Sequence, residues 1–464
     1  MKKAWFLLIG LLSLGVVFAT LPVSAGSGSE APSGFDDKTI DAAYVAQAMH
    51  DDDMTHFGAV EGVKDGLGPI YNAQSCRECH QNPTIGAVSQ VTELRVGHLD
   101  AKGRFQNPRI PIDGGKIVVT GRTLVNDRAI CSKFQERVLE SETIRTKRLS
   151  LNTLGDGFIE SISDETLMQL SQDQCRASKG KICGQALEVP VLEAPHKTAI
   201  GRFGWKDQHA SLLSFSADAY LNEMGITNGL LKTEFTPNCN LAELPEPPND
   251  KPNDIPNSTD GLEDIDRFAR FMRASKVPPR DETLAATEEA KSGAKLFERI
   301  GCATCHVTTL TTAKAGTQVD GKMFTVPPAL GDKTFHPYSD FLLHDVGTGD
   351  GIAIAIGEHY GVPVASIQAL YQNNSTTSAY YADVDRVMDR EGFSYKAVHD
   401  GRNKIRTAPL WGLRTHSRMM HDGDSVKLGD AITRHKGEAA ESSAKFKKLT
   451  RKERGYLRSF LNSL

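Results

Sequence analysis

The chain has 464 residues and a formal net charge of −4 at pH 7, with 39% hydrophobic and 24% charged residues. This length predicts two or three domains, each with its own core. The small negative charge argues against a nucleic-acid partner, and the hydrophobic fraction excludes a disordered chain. What remains to be explained is the work of eight cysteines.

The first 25 residues have the pattern of a secretory signal peptide. Lys2 and Lys3 precede an uncharged segment from Ala4 to Thr20, and Val23 to Ala25 offers small residues at a cleavage site. An uncleaved anchor is the alternative, because the apolar run is nearly long enough to span a bilayer. We expect cleavage, a periplasmic protein without a membrane span in its mature chain, and a compartment in which disulfides persist.

The next elements predict a mainly α fold with long loops and a few short strands. Ile85 to Thr123 is rich in Val, Ile, Pro and Gly, which fits short strands or loops. Asp260 to Ser275 places apolar residues on one helix face, and Pro278-Pro279 would end that helix. The apolar face comprises Leu262, Ile265, Phe268, Ala269 and Met272. A further helix is predicted from Asp281 to Gly301, and an amphipathic helix from Leu449 to Leu464.

A proline-rich, charged connection and the start of a new helix place a domain boundary near residue 280. We therefore expect two domains, residues 26–280 and 281–464. The second domain carries an insertion over about 352–400, which either forms a solvated helical excursion or shapes partner docking or covers the edge of a cofactor.

Two pentapeptides carry the chemistry, Cys76-Arg77-Glu78-Cys79-His80 and Cys302-Ala303-Thr304-Cys305-His306. Two thiols three residues apart can add to the vinyl groups of a haem, and the adjoining imidazole is then held under the iron. A redox dithiol does not require the following His, and a zinc site would need the two pairs, 226 residues apart, to meet. The pattern therefore predicts two covalently bound haem c groups, with His80 and His306 as proximal iron ligands. Since one motif lies in each expected domain, we expect two cytochrome c-like haem domains.

Eight further motifs resemble the bacterial di-haem oxidoreductase family, which is related to di-haem cytochrome c peroxidases. They are GLGPIYNAQS at 66–75, GRFGW at 201–205, EMG at 223–225, HPYSD at 336–340, LHD at 343–345, RTAPLWG at 406–412, HDG at 421–423 and HKGEA at 435–439. The resemblance runs from about Gly66 to the C-terminus. It implies a peroxide-reactive haem on His80 and an electron-accepting haem on His306.

The resemblance also implies distal iron ligands. His435 lies where relatives carry a second ligand to the electron-accepting haem, with Met419 or Met420 as fallback ligands. A second imidazole there would lower the reduction potential relative to Met/His ligation. His98 resembles the loop histidine that occupies the distal position of the other haem in the oxidised peroxidases; a solvent-facing turn histidine is the equal alternative.

The same resemblance assigns catalytic roles to Glu223 and Trp205. Glu223 aligns with the distal glutamate, which takes a proton from one peroxide oxygen and returns it to the other. Trp205 aligns with the tryptophan between the haems, and Glu160 is a reserve candidate for the role of Glu223. Phe215 is a departure, because many relatives have a glutamine there. A calcium ion is doubtful, since its matching positions are Leu149, His416 and Arg418, although backbone carbonyls could still serve.

Four cysteines lie between the haem motifs: Cys131, Cys175, Cys183 and Cys239. They allow three disulfide pairings. Some of the family was once labelled thiol oxidoreductase, but none of the four forms a CxxC pair, so structural disulfides are preferred to a catalytic thiol pair.

Together these features predict a periplasmic di-haem enzyme that reduces hydrogen peroxide with electrons from a small redox protein of cytochrome c or cupredoxin type. Two alternatives stay open: a di-haem oxidase of a protein or organic substrate, and an electron-transfer cytochrome without peroxidase activity.

Overall fold

The computed structural model describes residues 28–103, 105–119, 122–195, 197–232, 234, 253–353 and 401–464. The predicted signal peptide and nearly all of the predicted insertion lie outside these residues. The α-helices are α1 (Gln47–Gly58), α2 (Cys76–Cys79), α3 (Asp156–Glu160), α4 (Asp164–Ala177), α5 (Leu212–Met224), α6 (Asp264–Ala274), α7 (Glu282–Ala285), α8 (Glu288–Arg299), α9 (Leu428–Arg434), α10 (Ala440–Lys448) and α11 (Arg451–Leu461). In the described part of the chain, no helix is long and apolar enough to cross a membrane.

The strands are short, and most of them follow one another between two helices along the chain. They are β1 (Ser29–Glu30), β2 (Ile70–Tyr71), β3 (Thr92–Leu99), β4 (Phe105–Gln106), β5 (Ile110–Ile112), β6 (Ile117–Val119), β7 (Leu124–Val125), β8 (Arg128–Ala129), β9 (Ile144–Leu149), β10 (Glu188–Pro190), β11 (Thr198–Ile200), β12 (Leu310–Thr311), β13 (Gln318–Val319), β14 (Phe324–Thr325), β15 (Lys333–Phe335), β16 (Leu343–His344) and β17 (Ile405–Arg406).

The fold is mixed, with about 34% helix and 16% strand. The prediction of a mainly α fold is therefore confirmed only in part. The physical reason lies in the region after the first haem motif, where β-branched residues form strands instead of loops. β3 is the longest strand, and it pairs antiparallel with β4, β7 and β9.

The register between β3 and β9 brings several charged residues together. It runs from Thr92 opposite Leu149 to Gly97 opposite Ile144, and it places Glu93 opposite Arg148. Opposite charges on paired positions stabilise a sheet. Residues from segments about fifty positions apart are thus brought next to the first haem motif.

The predicted amphipathic helix at 260–275 is confirmed as α6. Ile265, Phe268, Ala269 and Met272 are buried, as the periodicity requires. The helix ends at Ala274, four residues before Pro278, because Ser275 is already extended. α6 packs against α1 and α5 in the larger hydrophobic core.

The larger core contains residues from both sides of residue 280. Phe158, Phe268 and Phe271 belong to it, and so do Phe335 and Trp411. β1 also pairs with β15, near the other end of the chain. The division into two haem domains remains a prediction.

The C-terminal helices form a second core. The helix predicted from Asp281 to Gly301 is two helices, α7 and α8, because the side chain of Thr287 caps the N-terminus of α8. α8 packs along α11, whose Leu457, Phe460 and Leu461 are buried as predicted. Gly293 lies at the crossing: a Cβ there would be 2.1 Å from the backbone oxygen of Tyr456.

The cysteines outside the haem motifs are structural where the structure describes them. Cys175 and Cys183 form a disulfide at the end of α4, and Cys131 is also disulfide-bonded. Cys239 lies outside the described residues. The preference for structural bridges over a reactive thiol pair is confirmed for these three cysteines.

We predict that Gly293→Ala lowers the free energy of unfolding by about 1–3 kcal/mol, because the added methyl group must push α8 away from α11. Denaturant unfolding followed by circular dichroism measures this. Gly455→Ala is the matched control, since a Cβ added at Gly455, which lies on α11, would have nothing within 4 Å. It should gain up to about 1 kcal/mol of helix propensity. Equal effects of the two substitutions would contradict the close crossing.

Candidate functional site

The first haem motif is a single helical turn. Ser75 precedes α2, and the backbone N–H of His80 donates to the carbonyl of Cys76 at 3.0 Å, which closes the turn. The ring of His80 makes an edge contact with Phe57. Loss of solvent around the imidazole lowers the pKa of His80 to about 4, so the ring is neutral and able to bind a metal at neutral pH.

The second haem motif repeats this geometry. A 3₁₀ turn over Cys302–Thr304 is followed by the N–H of His306, which donates to the carbonyl of Cys302 at 3.0 Å. Nδ1 of His306 lies 2.9 Å from the carbonyl of Tyr338. A proton on Nδ1 satisfies that contact, which leaves Nε2 as the ligand atom. Burial lowers the pKa of His306 to about 4.

The four thiols of the two motifs are unpaired, in contrast to Cys131, Cys175 and Cys183. Burial raises the pKa of Cys76 and of Cys302 to about 12. Such thiols stay protonated at neutral pH, unlike the low-pKa thiolate of a redox dithiol. Within the described ranges the two cysteine pairs do not meet in one metal-binding group, so the zinc alternative has no structural support.

His435 faces the same cavity as His306. The cavity has a volume of about 220 Å³, and both imidazoles, both cysteines of the second motif and Met419 and Met420 line it. Nδ1 of His435 lies 2.8 Å from the carbonyl of Ala431, so its Nε2 is also free to bind a metal. Two imidazoles with their Nδ1 atoms held by backbone carbonyls are an arrangement suited to a six-coordinate iron.

Trp205 lies between the two motifs in the sequence, and its indole contacts two residues that line the cavity of His306. Its Nε1–H donates to the carbonyl of Leu149 at 2.7 Å, and its ring contacts His421 edge-on. Residues 149–152 line the cavity of His306, while the backbone of Leu151 also lies close to the ring of His80. The four residues 149–152, held by Trp205 at Leu149, therefore lie beside the ring of His80 and also line the cavity of His306.

Glu223 lies beside the first motif because of how α5 ends. Gly225 terminates α5 with a φ of 69°, and a side chain there would lie 2.8 Å from the backbone oxygens of Gly68 and Ile70. This close approach lets the backbone oxygen of Glu223 accept from the N–H of Asn72 at 2.7 Å. The side-chain amide of Asn72 donates to Oε2 of Glu223 at 2.9 Å.

Glu93 is a site residue that the sequence did not predict. Its carboxyl group is in hydrogen-bond contact with that of Glu223, and both groups lie near the Cys79 thiol, whose pKa is raised by burial and by these neighbouring carboxyl groups. Arg95 donates to both oxygens of Glu93, at 2.7 and 3.2 Å. Glu93 and Glu223 are 130 positions apart, so only the fold reveals the pair.

The remaining predicted site residues have other partners. His98, on β3, holds Oε2 of Glu142 at 2.7 Å through Nδ1, and no contact described for it reaches His80. Glu160 forms a buried ion pair with Arg273 at 2.6 and 2.8 Å, which accounts for its burial without a catalytic role. Phe215 packs against the rings of Phe203 and His209.

A family comparison matches the chain over residues 120–357 and 387–464, and the matching family is described as "Di-haem oxidoreductase, putative peroxidase". The chain belongs to the di-haem oxidoreductase family. It is accordingly a redox enzyme of this kind, which is what the resemblance implied. No curated protein matches the sequence.

Two solved structures show a distant likeness to the chain. Hydrazine synthase of Kuenenia stuttgartiensis, pressurised with xenon, is 13% identical, with a TM-score of 0.37 and coverage of 99% of this chain and 100% of that chain. A MauG-like protein associated with microbial copper homeostasis is 17% identical, with a TM-score of 0.23 and coverage of 43% of this chain and 52% of that chain. At these TM-scores neither likeness supports a structural argument.

The donor sets of this di-haem oxidoreductase fit two haem groups. Each motif offers two unpaired, protonated thiols and a neutral imidazole on one turn, which are the groups that haem attachment requires. Leu149, His416 and Arg418, the positions compared with a calcium site, line the cavity of His306. The carbonyl of Leu149 already accepts from Trp205.

His344 is a buried charge next to the second motif. Its Nε2 lies 2.9 Å from Asp340 and its Nδ1 2.7 Å from Glu438, while Sγ of Cys305 is 3.8 Å away. Burial alone would lower the pKa of His344, but the negative charge of Asp340 and the hydrogen bond to it raise the pKa well above its usual value. Cys305, Asp340 and His344 could together hold a metal ion by distance, but His344 and Asp340 already bind one another.

Lys206 follows Trp205 and is surrounded by oxygen atoms. Its ammonium group donates to the carbonyls of Gly401, Arg402 and Lys404 at 3.2, 2.8 and 2.7 Å, and it pairs with Oδ1 of Asp350 at 2.8 Å. Residues on either side of the undescribed segment 354–400 are thereby joined beside Trp205. The sequence did not predict this contact of Lys206. Three of the four oxygen atoms around its ammonium group belong to backbone carbonyls, which every residue has and which leave no pattern in the sequence.

We predict that Lys206→Met lowers the free energy of unfolding by about 3–5 kcal/mol, because it removes a buried charge from Asp350 and from three carbonyls. Thermal and denaturant unfolding of the full chain measure the loss. Lys291→Met is the control, since the pair of Lys291 with Glu288 is exposed; its effect should stay within about 0.5 kcal/mol. A loss below about 1 kcal/mol in Lys206→Met would contradict the structural role of this ammonium group.

Proposed function

We propose that this chain is a periplasmic di-haem c-type enzyme that reduces hydrogen peroxide with electrons from a small redox protein. The observation that carries the proposal is the repeated turn: two CxxCH motifs with unpaired thiols and neutral imidazoles, joined by Leu149 to Asn152 and Trp205. Glu223 supplies a proton-transferring group beside the first motif.

Haem attachment in the proposal is covalent at both motifs. Cys76 and Cys79 would hold one haem, with His80 as an iron ligand, and Cys302 and Cys305 would hold the other, with His306 as an iron ligand. When bound, the haem groups would supply iron that exchanges single electrons and can react with peroxide. The high pKa values of Cys76 and Cys302 disfavour the thiolate that disulfide exchange requires.

The two sites differ in what can occupy the distal side. His435 completes the ligation at the second motif, supported by the cavity that it shares with His306. At the first motif His98 is the proposed reversible ligand, and release of its Nδ1 contact with Glu142 would have to accompany any movement. The first site is therefore the one assigned to peroxide, and the second the one assigned to electron uptake.

Trp205 and Glu223 carry the electron route and the proton step in this proposal. The indole of Trp205 is held by the carbonyl of Leu149 and lines the cavity of His306, while the backbone of Leu151, two residues after Leu149, lies close to the ring of His80. The carboxyl of Glu223 is held by Asn72, whose own amide oxygen accepts from the N–H of Asp127 at 3.0 Å. This orients the Asn72 amide and hence Glu223.

Cellular location and partner complete the proposal. The sequence pattern of residues 1–25 supports export and a periplasmic location, and disulfides at Cys131 and at Cys175–Cys183 fit an oxidising compartment. The electron donor is a cytochrome c or a cupredoxin, because electrons must arrive singly at the second haem. The two-domain division near residue 280 belongs to the same proposal.

We predict that His435→Met shifts reduction of one haem to a higher potential, because a thioether stabilises ferric iron less than imidazole does. A redox titration followed by visible spectroscopy measures the shift. His56→Met, on α1 and away from the cavity, is the control and should leave both potentials unchanged. An unaltered titration of the His435→Met protein would assign the ligand to Met419 or Met420 instead.

The direct test of function is rapid mixing of the reduced protein with hydrogen peroxide. We predict fast oxidation of the wild type and a rate about 10²–10⁴-fold lower in Glu223→Gln, because the amide cannot carry the proton between the peroxide oxygens. Glu188→Gln, an exposed change on β10, is the control. A wild type that peroxide does not oxidise would exclude peroxidase activity and favour the oxidase or carrier alternatives.

A further inference from the structure

The carboxyl groups of Glu93 and Glu223 are held against each other by an asymmetric set of neighbours. Glu93 receives two hydrogen bonds from Arg95, and it lies opposite Arg148 in the β3–β9 register. Glu223 receives one neutral hydrogen bond, from Asn72. Two ionised carboxylates in contact repel each other strongly, so a contact of this kind retains a proton.

The surroundings decide which carboxyl group holds that proton. Burial raises the pKa of Glu93, but the charges of Arg95 and Arg148 and the hydrogen bonds from Glu223 and Arg95 outweigh it and hold the pKa below its usual value. Burial and the adjacent charge of Glu93 raise the pKa of Glu223 well above its usual value. The proton therefore resides on Glu223, which donates it to Glu93.

We infer that Glu93 and Glu223 act as a one-proton pair, in which Glu93 is the positioning residue that accepts the proton of Glu223 when Glu223 takes one from peroxide. This inference rests on the proposed peroxide reaction and changes the role of Glu223 within it. A glutamate that is already protonated cannot act as a base by itself. It can do so only when a second carboxylate receives its proton in the same step.

The proton balance of this step is simple. The reaction of one hydrogen peroxide with two electrons and two protons gives two water molecules, and the electron donor and solvent supply the electrons and protons. The pair takes one proton from the nearer peroxide oxygen and so holds two. It returns one to the farther oxygen as the O–O bond breaks, and that oxygen leaves as water with both hydrogens of the peroxide. The nearer oxygen becomes the second water when it has received the two electrons from the donor and two protons from solvent. The pair ends with one proton, as it began.

Infrared spectroscopy of the full haem-loaded protein tests the pair without peroxide. We expect a protonated-carboxyl band at pH 7 that shifts in D₂O and disappears in Glu223→Gln. In Glu93→Gln the pH at which this band titrates should move lower, because the neighbouring negative charge is gone. The other groups facing the pair, Arg95, Arg148, Asn72 and Cys79, stay unchanged, and Glu188→Gln is the control. An unmoved titration in Glu93→Gln overturns the pair.

Rapid mixing with peroxide tests the relay itself. Glu93→Gln should slow oxidation of the reduced protein by about 10²-fold near neutral pH, and Glu93→Asp should restore part of the rate, because a carboxylate is again present. A moved infrared titration with an unchanged rate overturns the relay role of Glu93. A wild type that shows the infrared band but does not react with peroxide contradicts the proposed function and leaves the shared proton intact, so the two failures can be distinguished.

Discussion

The backbone from Leu149 to Asn152 is the constraint on which both candidate sites depend. The segment starts at the last residue of β9, receives the indole N–H of Trp205 at Leu149, lines the cavity of His306, and has the backbone of Leu151 close to the ring of His80. The N–H of Leu149 in turn donates to the carbonyl of His421 at 2.6 Å. Both backbone groups of Leu149 are thus hydrogen-bonded, to Trp205 and to His421, and these two contacts hold the start of the segment in place.

Local sequence patterns predicted the features that depend on residues close together in the chain. The CxxCH turns form as the spacing of Cys76 and His80 requires, and the 3.6-residue period of Ile265 and Phe268 gives the buried face of α6. The break between α7 and α8 was missed, although Thr287 is a good N-cap, because an N-cap inside a periodic pattern competes with helix continuation.

Long-range pairing was not accessible from the sequence. Glu93 sits in a strand whose partner, β9, comes about fifty residues later, and its contact with Glu223 depends also on the end of α5 at Gly225. Lys206 finds its oxygens on backbone groups, which leave no mark in side-chain patterns. Glutamate and lysine are common residue types that do not by themselves indicate a site. The properties of Glu93 and Lys206 come from the residues that the fold places next to them.

The charges between the two sites form one alternating series. Glu93 faces Arg148, Arg148 donates to Asp350 at 2.8 and 2.9 Å, and Asp350 pairs with Lys206 beside Trp205. Burial raises the pKa of Asp350, but Lys206 and Arg148 lower it to about 2, so the carboxylate stays ionised. Each buried charge is thus compensated by the next.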